Sequence, residues 1–289
     1  MLTTRRVACS SVPAFPLSPL AVEAGYRVLG FDSIGSTNAA ALLAAKRGES
    51  SGIWYAALQQ TEGRGRRGRA WESPHGNLAA SLMIVPDAET ASLGSLGFVA
   101  GVALNKALGR ILPAARLRTG LDGADAAPGQ SAKRLALKWP NDVLADGHKL
   151  AGILLEAQKR DDGRTATVIG FGVNVVAAPQ GLPYPATSLR DLGSPANAET
   201  VFEALAESWV EAYTLWDNGI GLPAILALWR ENAAGIGAEV AVQRNNDVLR
   251  GVFETIDDAG RLIVRDNEGH RTAITAGDVH FGTTATLRQ

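Results

Sequence analysis

Three apolar runs between residues 134 and 175, "RLALKW", "HKLAGILLEA" and "TATVIGFGVNV", read as β-strands, and the turns between them carry polar and glycine residues. A chain with this stretch must be built around a sheet. Further strands are expected at "YRVLGFDSI", "GIWYAALQQ" and "NLAASLMIV". Helical texture fills the other long segments. In "STNAAALLAAKRG" the natural N-cap is Ser36 or Thr37, because a side-chain oxygen there accepts an orphan helix N–H, and Gly48 ends the helix. Residues 93–112 form a second helix. In "NAETVFEALAESWVEAYTLW", Val201, Leu205, Trp209, Ala212 and Trp216 fall near helical spacing, and "PAILALWREN" is a shorter helix that stops before Gly235.

From about residue 236 the texture changes. "AEVAVQ", "VLRGVFETI", "RLIVRD" and "RTAITA" are short Val/Ile/Thr-rich runs separated by the turn sequences "NND", "DDAG" and "NEG". They predict a small antiparallel barrel leaning on the main domain. Residues 1–24, interrupted by Pro13, Pro16 and Pro19, read as a loose leader rather than a signal. The run "LGSLGFVAGVALNKALGRIL" is cut by Lys106 and Arg110 short of the ~20 apolar residues a membrane span needs. It is expected to be a buried helix, with Gly97 and Gly101 allowing close packing. Residues 119–132, "TGLDGADAAPGQSA", read as an exposed insertion without a role.

Composition narrows the function classes. With 28 Lys+Arg against 29 Asp+Glu, the chain is not a general polyanion binder, and any nucleic-acid surface must be a local patch. Cys9 is the single cysteine, so there is no intrachain disulfide framework and a reducing cytoplasm is expected. His75, His148, His270 and His280 lie at no metal-ligand spacing, so no structural zinc is expected.

Four short motifs carry chemistry. In "TEGRGRRGRAW", Gly63, Gly65 and Gly68 free the backbone, while Arg64, Arg66, Arg67 and Arg69 repel one another until an anion arrives. Such a loop is expected to be mobile when empty and to order around phosphate. No Gly-Lys-Ser/Thr closes it as a Walker loop, and a solvated basic loop or an RNA-binding Arg/Gly segment fits the same residues. In "KWPNDVL", Asn141 and Asp142 are offered at a strand end to a sugar, a base or Mg²⁺, or form an ordinary turn. In "KLAGILLE", Lys149 sits outside a strand in which Gly152 lets a ligand press on the backbone; a solvent-anchoring lysine is the plainer reading. In "GFGVNV", alternate glycines precede Asn174, which also suits a close strand crossing.

Taken in order, "GSTN", "GRGRRGRAW", "KWPNDV", "KLAGILLE" and "GFGVNV", followed by the small C-terminal barrel, resemble the biotin protein ligase family over about residues 30–280. The resemblance implies an α/β (α+β) fold: a mixed-sheet catalytic domain of the biotin/lipoate ligase type at 25–234 and an SH3-like β-barrel domain at 235–289. It implies that biotin and MgATP give biotinyl-5′-AMP and pyrophosphate. The biotinyl group then passes to one lysine of a biotin carboxyl carrier protein, by default the acetyl-CoA carboxylase subunit, or of another biotin carrier domain. The roles carried over are catalytic for Lys149, Arg66 and Asp142. Biotin binding falls to Ser36, Thr37, Asn38, Gln60, Gly63, Arg64, Gly65, Arg66, Lys149 and Gly152. Nucleotide binding falls to Arg66, Trp71, Lys138, Asn141 and Asn174, with Asp142 as the Mg²⁺ ligand. Glu62 is read as tempering the repulsion among the loop arginines.

The stretch ahead of the first catalytic strand is too short for a winged helix, so no DNA binding is expected, and no membrane association either. Monomer and homodimer both stay open, and the cytoplasm is the expected compartment. A lipoate or octanoyl ligase on the same fold, an RNA-binding protein and a degenerate ligase fold that only binds are the competing readings.

Overall fold

The computed structural model describes residues 14–112, 134–182, 184–244 and 247–281. Cys9 and the insertion expected at 119–132 lie outside the described residues.

A seven-stranded sheet forms the body of the molecule, in the order β1-β2-β3-β7-β6-β5-β4. Its strands are β1 (Arg27–Phe31), β2 (Ile53–Ala57), β3 (Leu78–Ile84), β4 (Leu135–Lys138), β5 (Asp142–Ala145), β6 (His148–Lys159) and β7 (Thr165–Val173). Only β1 and β2 run parallel; every other pairing is antiparallel. Strands β2 and β3 are buried at every position, because helices cover both faces of the sheet. Successive β2 side chains therefore enter different clusters. Trp54 and Ala56 join the large core under α3 (Leu96–Ile111) and α4 (Ala198–Trp216), and Ile53 and Tyr55 join the smaller one under α2 (Thr37–Lys46). Trp54 packs edge-on against Phe202 and Trp209, with ring centroids 5.5 and 6.5 Å away.

By length and composition Thr90–Ile111 could cross a membrane, yet half of its most apolar window is buried inside the protein. The two charges that interrupt it face α4, where Lys106 Nζ lies 2.8 Å from Glu211 and Arg110 Nη1 2.8 Å from Glu207. The close packing expected at Gly97 and Gly101 is absent. A Cβ at Gly97 would meet nothing within 4 Å, and one at Gly101 would sit in ordinary contact with Trp229 and Leu137.

The described part of the leader is not loose. Ser18 caps α1 (Pro19–Glu23), with Ala21 N donating to Ser18 Oγ at 3.3 Å. Pro19 stands in the first turn, where its missing N–H costs nothing. Phe15 is buried edge-on against Phe202 at 5.4 Å, and Tyr26 OH accepts a 2.9 Å hydrogen bond from Trp209 Nε1. Burial pushes the Tyr26 hydroxyl up to about 12, against the lowering effect of that hydrogen bond.

The C-terminal strands β8 (Glu239–Arg244), β9 (Asp247–Ile256), β10 (Leu262–Arg265), β11 (Arg271–Ile274) and β12 (Asp278–Phe281) form one antiparallel sheet in the order β11-β10-β9-β8-β12. Its fastening to the main body matters for the site. Trp139 Nε1 donates to Gly260 O at 3.0 Å, and Phe98 lies directly on Gly260. Arg230, on α5 (Leu222–Glu231), donates from Nε to Ile256 O at 3.0 Å. The Phe15→Ala variant is expected to lose about 3 kcal/mol of stability, read as a lowered midpoint in urea unfolding, because a buried ring is removed from the core. A truly loose leader would show no change.

Candidate active site

A cavity of about 420 Å³ opens over β6 and β7, bounded by the start of α2, the Arg/Gly loop, the β4–β5 turn and β12. Bare backbone makes room for it. Gly152 and Gly172 are cross-strand partners, and the Trp71 ring lies on both, so that a Cβ at Gly172 would overlap the indole and one at Gly152 would press it at 3.2 Å. A Cβ at Gly170 would overlap Asn38 Oδ1.

The helix start supplies the polar wall. Ser36 caps α2, accepting from Ala39 N at 3.3 Å, which holds Thr37 and Asn38 in the first turn. Gln60 Oε1 accepts from Thr37 N at 2.8 Å and lies 3.0 Å from Thr37 Oγ1. The opposite wall is cationic. Lys149 Nζ sits 2.8 Å from Asp142 Oδ1 and about equally far, 5.4 and 5.3 Å, from the Trp71 and Tyr184 ring centroids. Its backbone is held by Pro185 O and Thr187 N, at 2.9 and 3.0 Å. Lys138 lies near by; burial pushes its ammonium down, the Lys149 charge adds to this, and Asp142 opposes both.

The Arg/Gly loop is a closed hairpin. Gly65 N donates to Arg69 O at 2.7 Å and Trp71 N to Gly63 O at 3.0 Å, around a short turn at Arg66–Gly68 in which Arg67 has φ 55°. A carboxylate of the chain meets its arginines. Asp278, the first residue of β12, receives Arg69 at 2.6 Å and Arg67 at 3.1 Å, with Arg66 4.0 Å away. Arg66 also donates to Asn141 Oδ1 at 3.0 Å, and Asn141 Nδ2 donates to Ile153 O at 2.8 Å. Burial works to raise the Asp278 carboxyl, but the Arg69 hydrogen bond and the three guanidinium charges outweigh it and hold it below its ordinary value.

Thirteen of the fifteen residues nominated from sequence line this cavity. The exceptions are Gly63 and Asn174. Gly63 lies under Trp71 O, so close that no Cβ would fit, and its part is to let the loop's neck close. Asn174 is buried away from the cavity, donating from Nδ2 to Thr187 O at 3.1 Å and taking Leu189 N on its carbonyl at 2.9 Å. Asp278, Ser81 and Tyr184 were not nominated. Ser81 carried a faint signal as the lone hydroxyl in the run "LAASLMI"; Asp278 carried none. As a metal ligand, Asp142 is a single carboxylate already shared with Lys149, and no group of three or more His, Cys, Asp or Glu stands ready among the described residues. That donor set suits Mg²⁺ arriving with phosphates, not a cage made by protein alone.

Comparison with known proteins adds an independent line. Residues 30–174 match the biotin/lipoate A/B protein ligase family, and residues 235–282 match the biotin protein ligase C terminal domain. The chain is 37% identical over 253 residues to a biotin–[acetyl-CoA-carboxylase] ligase of Paracoccus denitrificans, covering 86% of this chain and 97% of that one. It is 35% identical to the enzyme of the same name from Mycobacterium tuberculosis, covering 85% of each. Biotin protein ligase from Aquifex aeolicus, solved with biotin and ATP, superposes with a TM-score of 0.70 over 89% of this chain and 98% of that chain; at 22% identity this is a likeness of fold.

Asp278→Asn is expected to free the loop tip. The three partly exposed pairs together are worth about 1 kcal/mol, so trypsin should cut at the loop arginines about 5-fold faster, read by mass spectrometry of the fragments. Because the folded-state carboxyl is depressed, the clamp is intact above the ordinary aspartate range and is lost as pH falls below it. Tip protection in hydrogen exchange should therefore hold at neutral pH and fade in acid.

Proposed function

The chain belongs to the biotin/lipoate A/B protein ligase family, and from that premise we propose how its residues carry out ATP-dependent biotinylation. The observation that carries the assignment is the meeting of a hydrogen-bonding helix start, a paired Lys149 and the loop arginines around one cavity. Biotin lies along the bare glycines, with its ureido ring at Ser36, Thr37, Asn38 and Gln60 and its carboxylate toward Lys149. A carboxylate oxygen attacks the α-phosphorus of ATP; a C–O–P anhydride forms, the bond to the β-phosphate breaks, and pyrophosphate leaves. Two anions must meet for this to happen. Lys149 and Arg66 lower that repulsion by offering fixed positive charge where negative charge accumulates. Asn141, Lys138 and Tyr184 border the nucleotide side. Mg²⁺, when bound, supplies further neutralisation of the phosphates, and Asp142 is the residue that would hold it.

Biotinyl-5′-AMP hydrolyses easily, so it needs cover from water. Trp71 and the Arg/Gly hairpin provide the cover. The amine of a carrier lysine then attacks the acyl carbon, the amide forms and AMP leaves. We assign the carrier as the biotin carboxyl carrier subunit of acetyl-CoA carboxylase and the setting as the cytoplasm, following the names of the relatives and the chemistry of the reaction. The match of residues 235–282 to a biotin ligase C-terminal domain favours biotin over lipoate or octanoate. An RNA-binding role is disfavoured, since the tip arginines are turned toward Asp278.

Incubation with biotin, MgATP and a carrier domain is expected to add one biotinyl mass to the carrier lysine. Lys149→Ala is expected to lower the rate about 100-fold, the scale of one preorganised charge contact of ~3 kcal/mol, with an unchanged circular-dichroism spectrum. A carrier left unmodified by the unaltered protein, or modification with octanoate in preference to biotin, would overturn the assignment.

A further inference from the structure

A polar chain runs beneath the cavity and ends on Glu156, an acid that the reaction above leaves without a part. Glu156 Oε2 lies 2.8 Å from Asn38 Nδ2 and 3.8 Å from Arg64 Nη2. A carboxylate offers only acceptors, so Asn38 must turn its NH₂ toward Glu156 and its oxygen away. That oxygen lies 2.5 Å from Ser81 Oγ. An amide oxygen only accepts, so the single Ser81 proton is committed to Asn38. Ser81 Oγ therefore meets Thr37 Oγ1, 2.7 Å away, as an acceptor. The Thr37 proton therefore goes to Ser81, while Gln60 Oε1, 3.0 Å from Thr37 Oγ1, takes Thr37 N–H. Thr37 and Gln60 both line the cavity, so what they have left for a ligand is Thr37 Oγ1 as an acceptor, its proton being spent on Ser81, and Gln60 Nε2 as a donor, its oxygen being held by Thr37 N–H.

We infer that Glu156 is a positioning residue that fixes Thr37 Oγ1 as a hydrogen-bond acceptor, and so selects a ligand edge presenting an N–H at that point of the wall. The inference rests on the biotin reading above, because a cyclic urea has that edge. The packing supports it: β7 leaves Gly170 bare where the Asn38 amide lies, so the amide is held against the sheet while Glu156 decides which way it faces. Glu156 also stands opposite a loop arginine, which ties the closed loop to the same wall.

The test uses two ligands that differ only at that edge. In the cyclic carbamate analogue of biotin the ureido N–H on that side is replaced by a ring oxygen, so a donor becomes an acceptor. Calorimetry on the full chain is expected to show strong preference for biotin over the carbamate. Glu156→Gln lets the Asn38 amide turn over, and the ratio of the two dissociation constants should narrow roughly tenfold, the worth of one hydrogen bond. Ser81→Ala, which breaks the relay without touching the acid, should narrow it likewise, whereas Glu156→Asp keeps an acceptor and should keep the ratio. Equal weakening of both ligands in Glu156→Gln and Ser81→Ala, with the ratio unmoved, would mean a purely structural role and overturn the inference alone. An unaltered chain that binds neither ligand would overturn the biotin reading together with it.

Discussion

The candidate site exists because three positions on two neighbouring strands carry no side chain. Gly152 and Gly172 face each other across β6 and β7, and Gly170 follows one alternation earlier on β7. An indole from a distant loop and an amide from a helix start can therefore lie directly on peptide backbone. A Cβ at Gly170 or Gly172 would push one of these groups off the sheet. The remaining features follow from that surface. Seating Trp71 brings its neighbouring arginines over the β4–β5 turn, and seating Asn38 brings the α2 start within reach of Gln60, Ser81 and Glu156.

Electrostatics then decides how the loop sits. Four guanidiniums within six residues would drive each other apart in isolation. Each has a carboxylate within 4.0 Å: Asp278 for Arg66, Arg67 and Arg69, and Glu156 for Arg64. Lys149 has Asp142 in the same way. A pairing of this kind offsets only part of the charge, since three carboxylates stand against four guanidiniums and one ammonium, and the site stays cationic. It also means that an incoming phosphate or carboxylate competes with groups of the protein, not with water alone.

Much of this was legible in the sequence, and the reasons are local. Ser36 announces α2 because capping is settled within four residues, and the apolar spacing of α4 needs only its own turns. The glycine-bearing motifs were legible because glycine and arginine at that density have few other uses. What escaped was set by pairing over long separations. Asp278 meets Arg69 across 209 residues, and Glu156 meets Asn38 across 118, so neither carries a mark in its own neighbourhood. Strands β5 and β12 escaped because each opens on an aspartate, Asp142 and Asp278, which reads as turn chemistry. Pro19 misled in the opposite sense: a proline that breaks one pattern opens a helix here. Asn174, reasonable as a ligand group from its place after "GFGV", is taken up instead in holding the 187–189 segment.

The Arg/Gly hairpin is fastened by two unlike contacts. At its neck an indole lies on uncovered peptide; at its tip guanidiniums meet one carboxylate on another sheet. Dissolved salt screens the second and leaves the first intact, while cooling weakens the first more than the second. The two fastenings need not let go together. The tip can lift while the indole stays seated, so passage in and out of the cavity can be graded in steps instead of switching between shut and open.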